Sequence, residues 1–139
     1  MNRAQDHPWI GIDAIIENGR GKFLLVKRSA TSKAYPDMWS ILSGTAEWGE
    51  EIEDTIKREV MEEIGQEAYD IEFTGRYYDK IGRHPTKTMI CLPHRCKLKS
   101  YDFVLNHENS EIGWFSSEEI NNMELAFDHK QMLKDEGII

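Results

Sequence analysis

At 139 residues, with 40% apolar and 10% aromatic content, the chain is long enough to fold as one domain around one sizeable core. A net charge of −8 argues against a general nucleic-acid binder that works by neutralising phosphates, though not against a single nucleotide as substrate. No apolar run reaches the roughly 18 residues of a membrane span and residues 1–8 carry no signal-peptide pattern, so the expected location is cytoplasmic, without membrane attachment.

In chain order, Ile10 to Ile16 reads as a strand, and Glu17 to Gly21 as a turn that returns Lys22 to Lys27 as the second arm of a hairpin. A polar loop from Arg28 to Asp37 leads to a short apolar strand over Met38 to Leu42. Residues 51–64 read as a helix, because Ile52, Ile56, Val60 and Ile64 recur every four positions as one apolar stripe. Gly65 supplies the left-handed stop. Further strands are expected at Asp70 to Tyr78 and Thr88 to Leu92, with Pro93 making an edge or a bend. Between them runs a basic loop, residues 80–87. Glu111 to Phe115 reads as the last strand, Ser116 to Glu119 has capping-box spacing, and a final helix is expected over Leu125 to Glu136, stopped by Gly137. Strands interspersed with two or three helices predict an α/β layered domain, a sheet with helices on both faces. Cys91 and Cys96 are expected to be reduced, partly buried thiols.

The helix carries the chemistry. At about 100° per residue, Glu59, Glu62 and Glu63 fall in one arc beside the apolar stripe. Like charges so close destabilise a helix, and a hard divalent cation offsets them better than Lys57 or Arg58 can. A bare Glu-Glu run is ordinarily a solvated acidic face. Here it sits in a longer register, Gly44-x5-Glu50-x7-Arg58-Glu59-Val60-x-Glu62-Glu63-x-Gly65, whose eight fixed positions arise by chance in about one such chain in a million or fewer. Gly44 and Gly49 are placed in a loop entering the helix, where missing side chains permit tight turns and close ligand approach. Arg58, an always-charged fork, is suited to orienting Glu50 or Glu59.

This register resembles the Nudix box, the signature of hydrolases acting on a nucleoside diphosphate linked to another group. Four positions depart from the family pattern. Leu42-Ser43-Gly44 replaces the usual Pro-Gly-Gly, Trp48 stands where Pro is frequent, and Gln66 stands where an aliphatic residue is usual. The resemblance implies a Nudix-type α/β/α sandwich with a mixed β-sheet, one domain over 1–139 with its box at 44–66. It implies metal-assisted hydrolysis of a pyrophosphate bond, with Mg²⁺ (Mn²⁺ as a substitute) at Glu59, Glu62, Glu63 and Gly44. Arg58 joins these as a catalytic-site residue, and Glu108 and Glu111 are candidates for the extra acidic group that family members add from outside the box.

Lys27, Arg28 and Gly44 are the expected substrate contacts, with Arg83 from the basic loop and His84 and Lys87 beside it. Trp9, Trp48, Tyr77 and Tyr78 are candidates to stack a base, whereas Trp39 and Trp114 read as core. His7, His94, His107 and His129 show no ligand spacing. The implied substrate is a small nucleotide, first a (deoxy)nucleoside triphosphate, because the chain lacks the N-terminal extension common among ADP-ribose hydrolases. ADP-ribose or another nucleoside diphosphate derivative comes second. A nucleotide-sensing domain without catalysis, and an isomerase of isoprenoid diphosphates, are disfavoured by the intact box. Homodimerisation is left open.

Overall fold

A computed structural model describes residues 7–80, 84–85 and 87–139. Its strands are β1 (Trp9–Ile16), β2 (Lys22–Arg28), β3 (Trp39–Ser40), β4 (Leu42–Thr45), β5 (Ala68–Phe73), β6 (Met89–Leu98) and β7 (Asn109–Ser116), and its helices α1 (Ile52–Ile64), α2 (Ser117–Asn121) and α3 (His129–Asp135). A four-stranded sheet runs β4-β1-β6-β5 and a three-stranded sheet runs β3-β2-β7. The first is mixed, since β1 and β6 are parallel while every other pairing is antiparallel.

The period-two rule separates the two faces. Ile12, Ala14 and Ile16 of β1, with Leu24 and Val26 of β2, pack under Ile56, Val60 and Ile64 of α1. Ile15, Phe23 and Leu25 turn the other way, against Ile120 of α2 and Met132 and Leu133 of α3. Helices therefore cover both faces, and the α/β/α layering with a mixed sheet is as expected.

Several boundaries differ from the sequence expectation, each for a physical reason. The hairpin does not form as a ladder: both edges of β1 are taken by β4 and β6, so beyond a single bridge, Glu17 to Phe23, β2 departs to pair with β7 and β3. The apolar segment 38–42 is two strands in two sheets, broken at Ile41, whose N–H donates to Nδ1 of His129 at 3.1 Å rather than to a ladder. Strand β6 runs five residues beyond Pro93; β5 ends opposite His94, so the proline lies where its missing donor is not called for. Strand β5 ends at Phe73 rather than Tyr78, and α3 is confined to 129–135.

The other ends match their signals. Gly65 (φ 69°) caps α1 in the left-handed region and Gly137 (φ 76°) follows α3. Ser116 and Glu119 form the reciprocal capping box. Gln66 is buried because its amide donates to the Asp102 carbonyl at 2.7 Å, a polar solution where an aliphatic side chain would pack. Trp39 and Trp114 pack against the two cores, and both cysteines are buried. Among the described residues no helix is long and apolar enough to cross a membrane.

Candidate active site

Helix α1 begins without a side-chain cap, and the residues before it are organised by Arg58 instead. Arg58 Nε donates to Glu50 Oε2 at 2.7 Å and Nη2 donates to Oε1 at 3.0 Å, a bidentate fork. Nη2 also reaches the Thr45 carbonyl (2.9 Å) and Nη1 reaches Glu59 (2.8 Å) and Glu62 (3.2 Å). Thr55 adds a 2.6 Å hydrogen bond to Glu50. The Arg58 fork, then Thr55, holds the Glu50 carboxyl down at about 2, and the same bonds raise Arg58 above its ordinary value. One guanidinium thus ties β4, the loop before the helix and the helix itself into a single unit.

Arg58→Met should lower stability by about 3 kcal/mol, since it takes the guanidinium from three carboxylates and a carbonyl. The acid limb should change as well. A carboxyl depressed in the folded state contributes stability that is complete above its ordinary 4.5 and is lost as pH falls toward about 2. Urea unfolding across that window should show a shallower acid slope in the variant; parallel slopes would refute the assigned role.

On the inner side of the unit, Glu59 and Glu63 are buried and Glu108 is exposed, and oxygens of the three lie within 4.8 Å of one another. Burial raises both helix carboxyls, Glu63 well above its ordinary value; the charges of Glu108 and Glu59 push Glu63 further, and Asn109 opposes them. Asn109 Nδ2 donates to Glu63 Oε1 at 2.8 Å, whereas Oε2 of Glu63, equally buried, receives no hydrogen bond. Gly44 lies directly over this group. A Cβ there would fall 2.6 Å from Glu59 Oε1 and closer to its Cδ and Cγ. An all-oxygen donor set, an unsatisfied buried carboxylate oxygen and a glycine leaving room above it together fit a hard divalent cation.

The expected residues divide accordingly. Glu59 and Glu63 converge as the helical arc implied, but Glu62 is half-exposed and turns to Arg58, so the third carboxylate of the group is Glu108. Glu108 is drawn in because its carbonyl accepts the Ser29 N–H at the end of β2. Glu111 is not brought in: it lies opposite Lys27 on the neighbouring strand and pairs with it at 3.2 Å. Lys27 is thereby directed to that ion pair. Gly44 sits within β4 and not in a loop; Gly49 (φ 81°) is the turn residue. Arg83 lies outside the described residues.

A cleft of about 290 Å³ opens beside the group, walled by β1, β4, β6, the end of β2 and the approach to α3. Gly44 and Glu108 line it, as do Arg28, His84 and Lys87. Arg28 is half-buried, its Nε donates to the Ala34 carbonyl at 2.8 Å and its guanidinium lies 5.0 Å from the centre of the Phe127 ring. Burial lowers Arg28 from its ordinary value, with Glu63 and then Glu108 opposing. Asp13, Phe127 and His129 also line the cleft and were not singled out as ligand-facing by sequence, although a lone Asp amid Ile10 to Ile16 is a visible anomaly. Trp48 and Tyr77 are exposed outside it, and the Tyr78 hydroxyl donates to Asp135. A larger open hollow of about 850 Å³ lies along β5 and β6, remote from the carboxylates.

Residues 7–135 match the family model of the NUDIX domain. The chain belongs to this family. Among NUDIX relatives, a nucleoside triphosphatase NudI of Klebsiella pneumoniae subsp. pneumoniae is 30% identical over 135 residues, covering 90% of this chain and 94% of that one. A namesake from Escherichia coli strain K12 / DH10B is 28% identical over 133 residues with the same coverage, 90% and 94%. The NUDIX domain of Shewanella oneidensis NrtR, solved in complex with ADP ribose, superposes with a TM-score of 0.81 at 19% identity, covering 96% of this chain and 89% of that one. A MutT NUDIX hydrolase from Burkholderia pseudomallei gives a TM-score of 0.80 at 20% identity over 92% and 97%. At such identities these two likenesses speak for the fold. Family and relatives make the chain a hydrolase of phosphoric anhydride bonds.

Proposed function

We propose that this chain is a Mg²⁺-dependent pyrophosphohydrolase of (deoxy)nucleoside triphosphates, with Mn²⁺ as a working substitute, acting in the cytoplasm as one NUDIX domain with its box at 44–66. One observation carries the reading: Glu59, Glu63 and Glu108 converge at a cleft that also holds Arg28. The triphosphate is preferred because the 30%-identical relative is named a nucleoside triphosphatase.

Glu59, Glu63 and Glu108 would hold the cation, with Glu62 and Gly44 completing the set that the family resemblance implies. When bound, the cation supplies positive charge against phosphate oxygens and acidifies water. The chain's own residues do the rest. Arg58 fixes Glu59 between helix and strand, and a fixed geometry is worth more than a flexible one at the moment of reaction. Arg28 sets a partly desolvated positive charge beside the cleft, suited to the charge of a bound phosphate chain. Water gives its oxygen to phosphorus, its proton passes to a carboxylate whose basicity burial has raised, and the anhydride P–O bond breaks to separate the nucleoside monophosphate from pyrophosphate.

The test is cation-dependent product formation across (d)NTPs, ADP-ribose, dinucleoside polyphosphates and nucleotide sugars, with Glu59→Gln as control. Cleavage of triphosphates, lost in the variant and in chelator, is the expected result. Preferential cleavage of ADP-ribose would move the assignment to nucleoside diphosphate derivatives. Binding of the whole panel without cleavage would establish a sensor in place of an enzyme.

A further inference from the structure

Asp13 sits in the middle of β1, 1% exposed, on the face turned toward α3. His129 of α3 accepts the Ile41 N–H on Nδ1 at 3.1 Å, so that nitrogen carries no proton, and the ring's hydrogen is on Nε2. Nε2 lies 3.1 Å from Asp13 Oδ1 and donates to it. One carboxylate oxygen is thereby satisfied and oriented. The other, Oδ2, is buried and has no hydrogen-bond partner, and Asp13 lines the cleft that Gly44 and Glu108 also line. Leaving such an atom unpaired is costly, and the cost is recovered when a ligand donor meets it.

The neighbouring wall is aromatic. The His84 and Phe127 rings lie nearly parallel, 19° apart with centroids at 5.7 Å. Phe127 holds a left-handed backbone (φ 55°), which a bulky side chain adopts at a cost, and the flanking Ala126 N–H is pinned to the Trp39 carbonyl at 2.9 Å. The same cleft is lined by Glu108 of the carboxylate group and by this π-rich wall, beside a buried, pre-oriented acceptor.

We propose that Asp13 Oδ2 is the base-reading acceptor of this site, taking a hydrogen bond from a ring or exocyclic N–H of the nucleobase, with His129 as the positioning residue that holds it in place. The assignment rests on the nucleotide reading above and names the residue that sets base preference. A carboxylate with one oxygen committed to His129 offers one acceptor and no donor, so it discriminates on whether the base presents N–H at that point. A site built around such a bond rejects the analogue lacking it far more strongly than an apolar pocket rejects a size change.

Binding is the test, because it is independent of turnover. Calorimetric titration of the four nucleoside monophosphates should show the wild-type protein ranking them. Methylation that removes the N–H of the preferred base (N3-methyluridine, N4,N4-dimethylcytidine or N6,N6-dimethyladenosine monophosphate, and for guanine both the N1-methyl and the N2,N2-dimethyl nucleotide, one of which must bind weakly) should weaken binding about ten- to a hundredfold. In Asp13→Asn the amide oxygen takes the His129 bond and its NH₂ faces the cleft, so the ranking should shift toward bases presenting an acceptor. Equal binding of methylated and parent nucleotides by the wild-type protein would overturn the assignment without recourse to any variant. An unchanged ranking in folded Asp13→Asn, no ranking at all, or a loss that follows 2′- or 3′-deoxygenation instead would overturn it as well. Failure of the triphosphatase reading shows separately, as nucleotide binding without cleavage.

Discussion

Glu63→Gln should cut turnover by orders of magnitude while leaving the cation-free protein as stable as the wild type or more so. The two effects have one cause. Glu63 is a buried carboxyl beside Glu59 and Glu108, with one oxygen bonded to Asn109 and the other to nothing. Gln keeps the acceptor for Asn109 and puts an NH₂ where Oε2 was, so a repulsive contact becomes a donor toward its acidic neighbours. The pH dependence follows from the raised carboxyl. A folded state that holds its proton above the ordinary 4.5 binds more protons than the unfolded chain as pH rises from there, so stability falls with rising pH in that window. In chelator, the melting temperature of the wild-type protein should therefore decline from pH 5 toward pH 8 more steeply than that of Glu63→Gln. Mg²⁺ should restore the wild type and do so more as pH rises above the ordinary carboxyl range, because a proton held by Glu63 has to be displaced; at a hundred times Kd the gain is about 2.7 kcal/mol. The variant should lose that gain together with about 10²–10⁴-fold in kcat. Wild-type turnover, or an undiminished thermal shift with Mg²⁺, would remove Glu63 from the cation site.

The legible and the hidden parts of this site differ in how far apart in sequence their members lie. The helix, its apolar stripe and its left-handed stop at Gly65 follow from local rules, and α1 begins and ends within one residue of its expected bounds. The Arg58 fork on Glu50 was also within reach, because the two lie only eight positions apart across the start of the helix. Which carboxylates face inward was not. Helical phase alone puts Glu62 with Glu59 and Glu63, yet the two-residue arc is what the sheet buries, and Glu62 is left half-exposed on Arg58. Glu108 against Glu111 was equally undecidable from position, since the answer turns on a strand pairing that sets Glu111 opposite Lys27 and on a backbone bond from Ser29. The hairpin failed for a related reason: a good turn fixes where the chain reverses, while ladder partners are chosen by which edges remain open, and β1 had none. Asp13 and His129 are 116 positions apart, so neither marks the other in the sequence, and only the packing of α3 on β1 brings them to 3.1 Å.

Gly44→Ala should be among the most damaging single-methyl changes the chain can suffer. Gly44 has no need of a left-handed backbone, so the effect is purely one of space. The added Cβ would lie 2.6 Å from Glu59 Oε1 and nearer still to two carbons of the same side chain. Glu59 cannot easily yield: it is buried, and its Oε1 is held by Arg58 at 2.8 Å from the helix side. Either the carboxylate leaves the group it forms with Glu63 and Glu108, or β4 lifts from α1 and strains the Arg58 bond to the Thr45 carbonyl. Overpacking of this kind costs roughly 1–3 kcal/mol of stability. Displacing a positioned group by about 1 Å costs on the order of 10²-fold in rate. The expected signature is a lower melting temperature, a kcat reduced by about a hundredfold and a diminished Mg²⁺-induced thermal shift, all from one substitution. Gly19→Ala, in the turn after β1 where an added Cβ meets nothing within 4 Å, is the matched control and should leave all three unchanged. If Gly44→Ala keeps wild-type turnover and cation response, then Glu59 has room to move without consequence, and the group of Glu59, Glu63 and Glu108 is not the one that works.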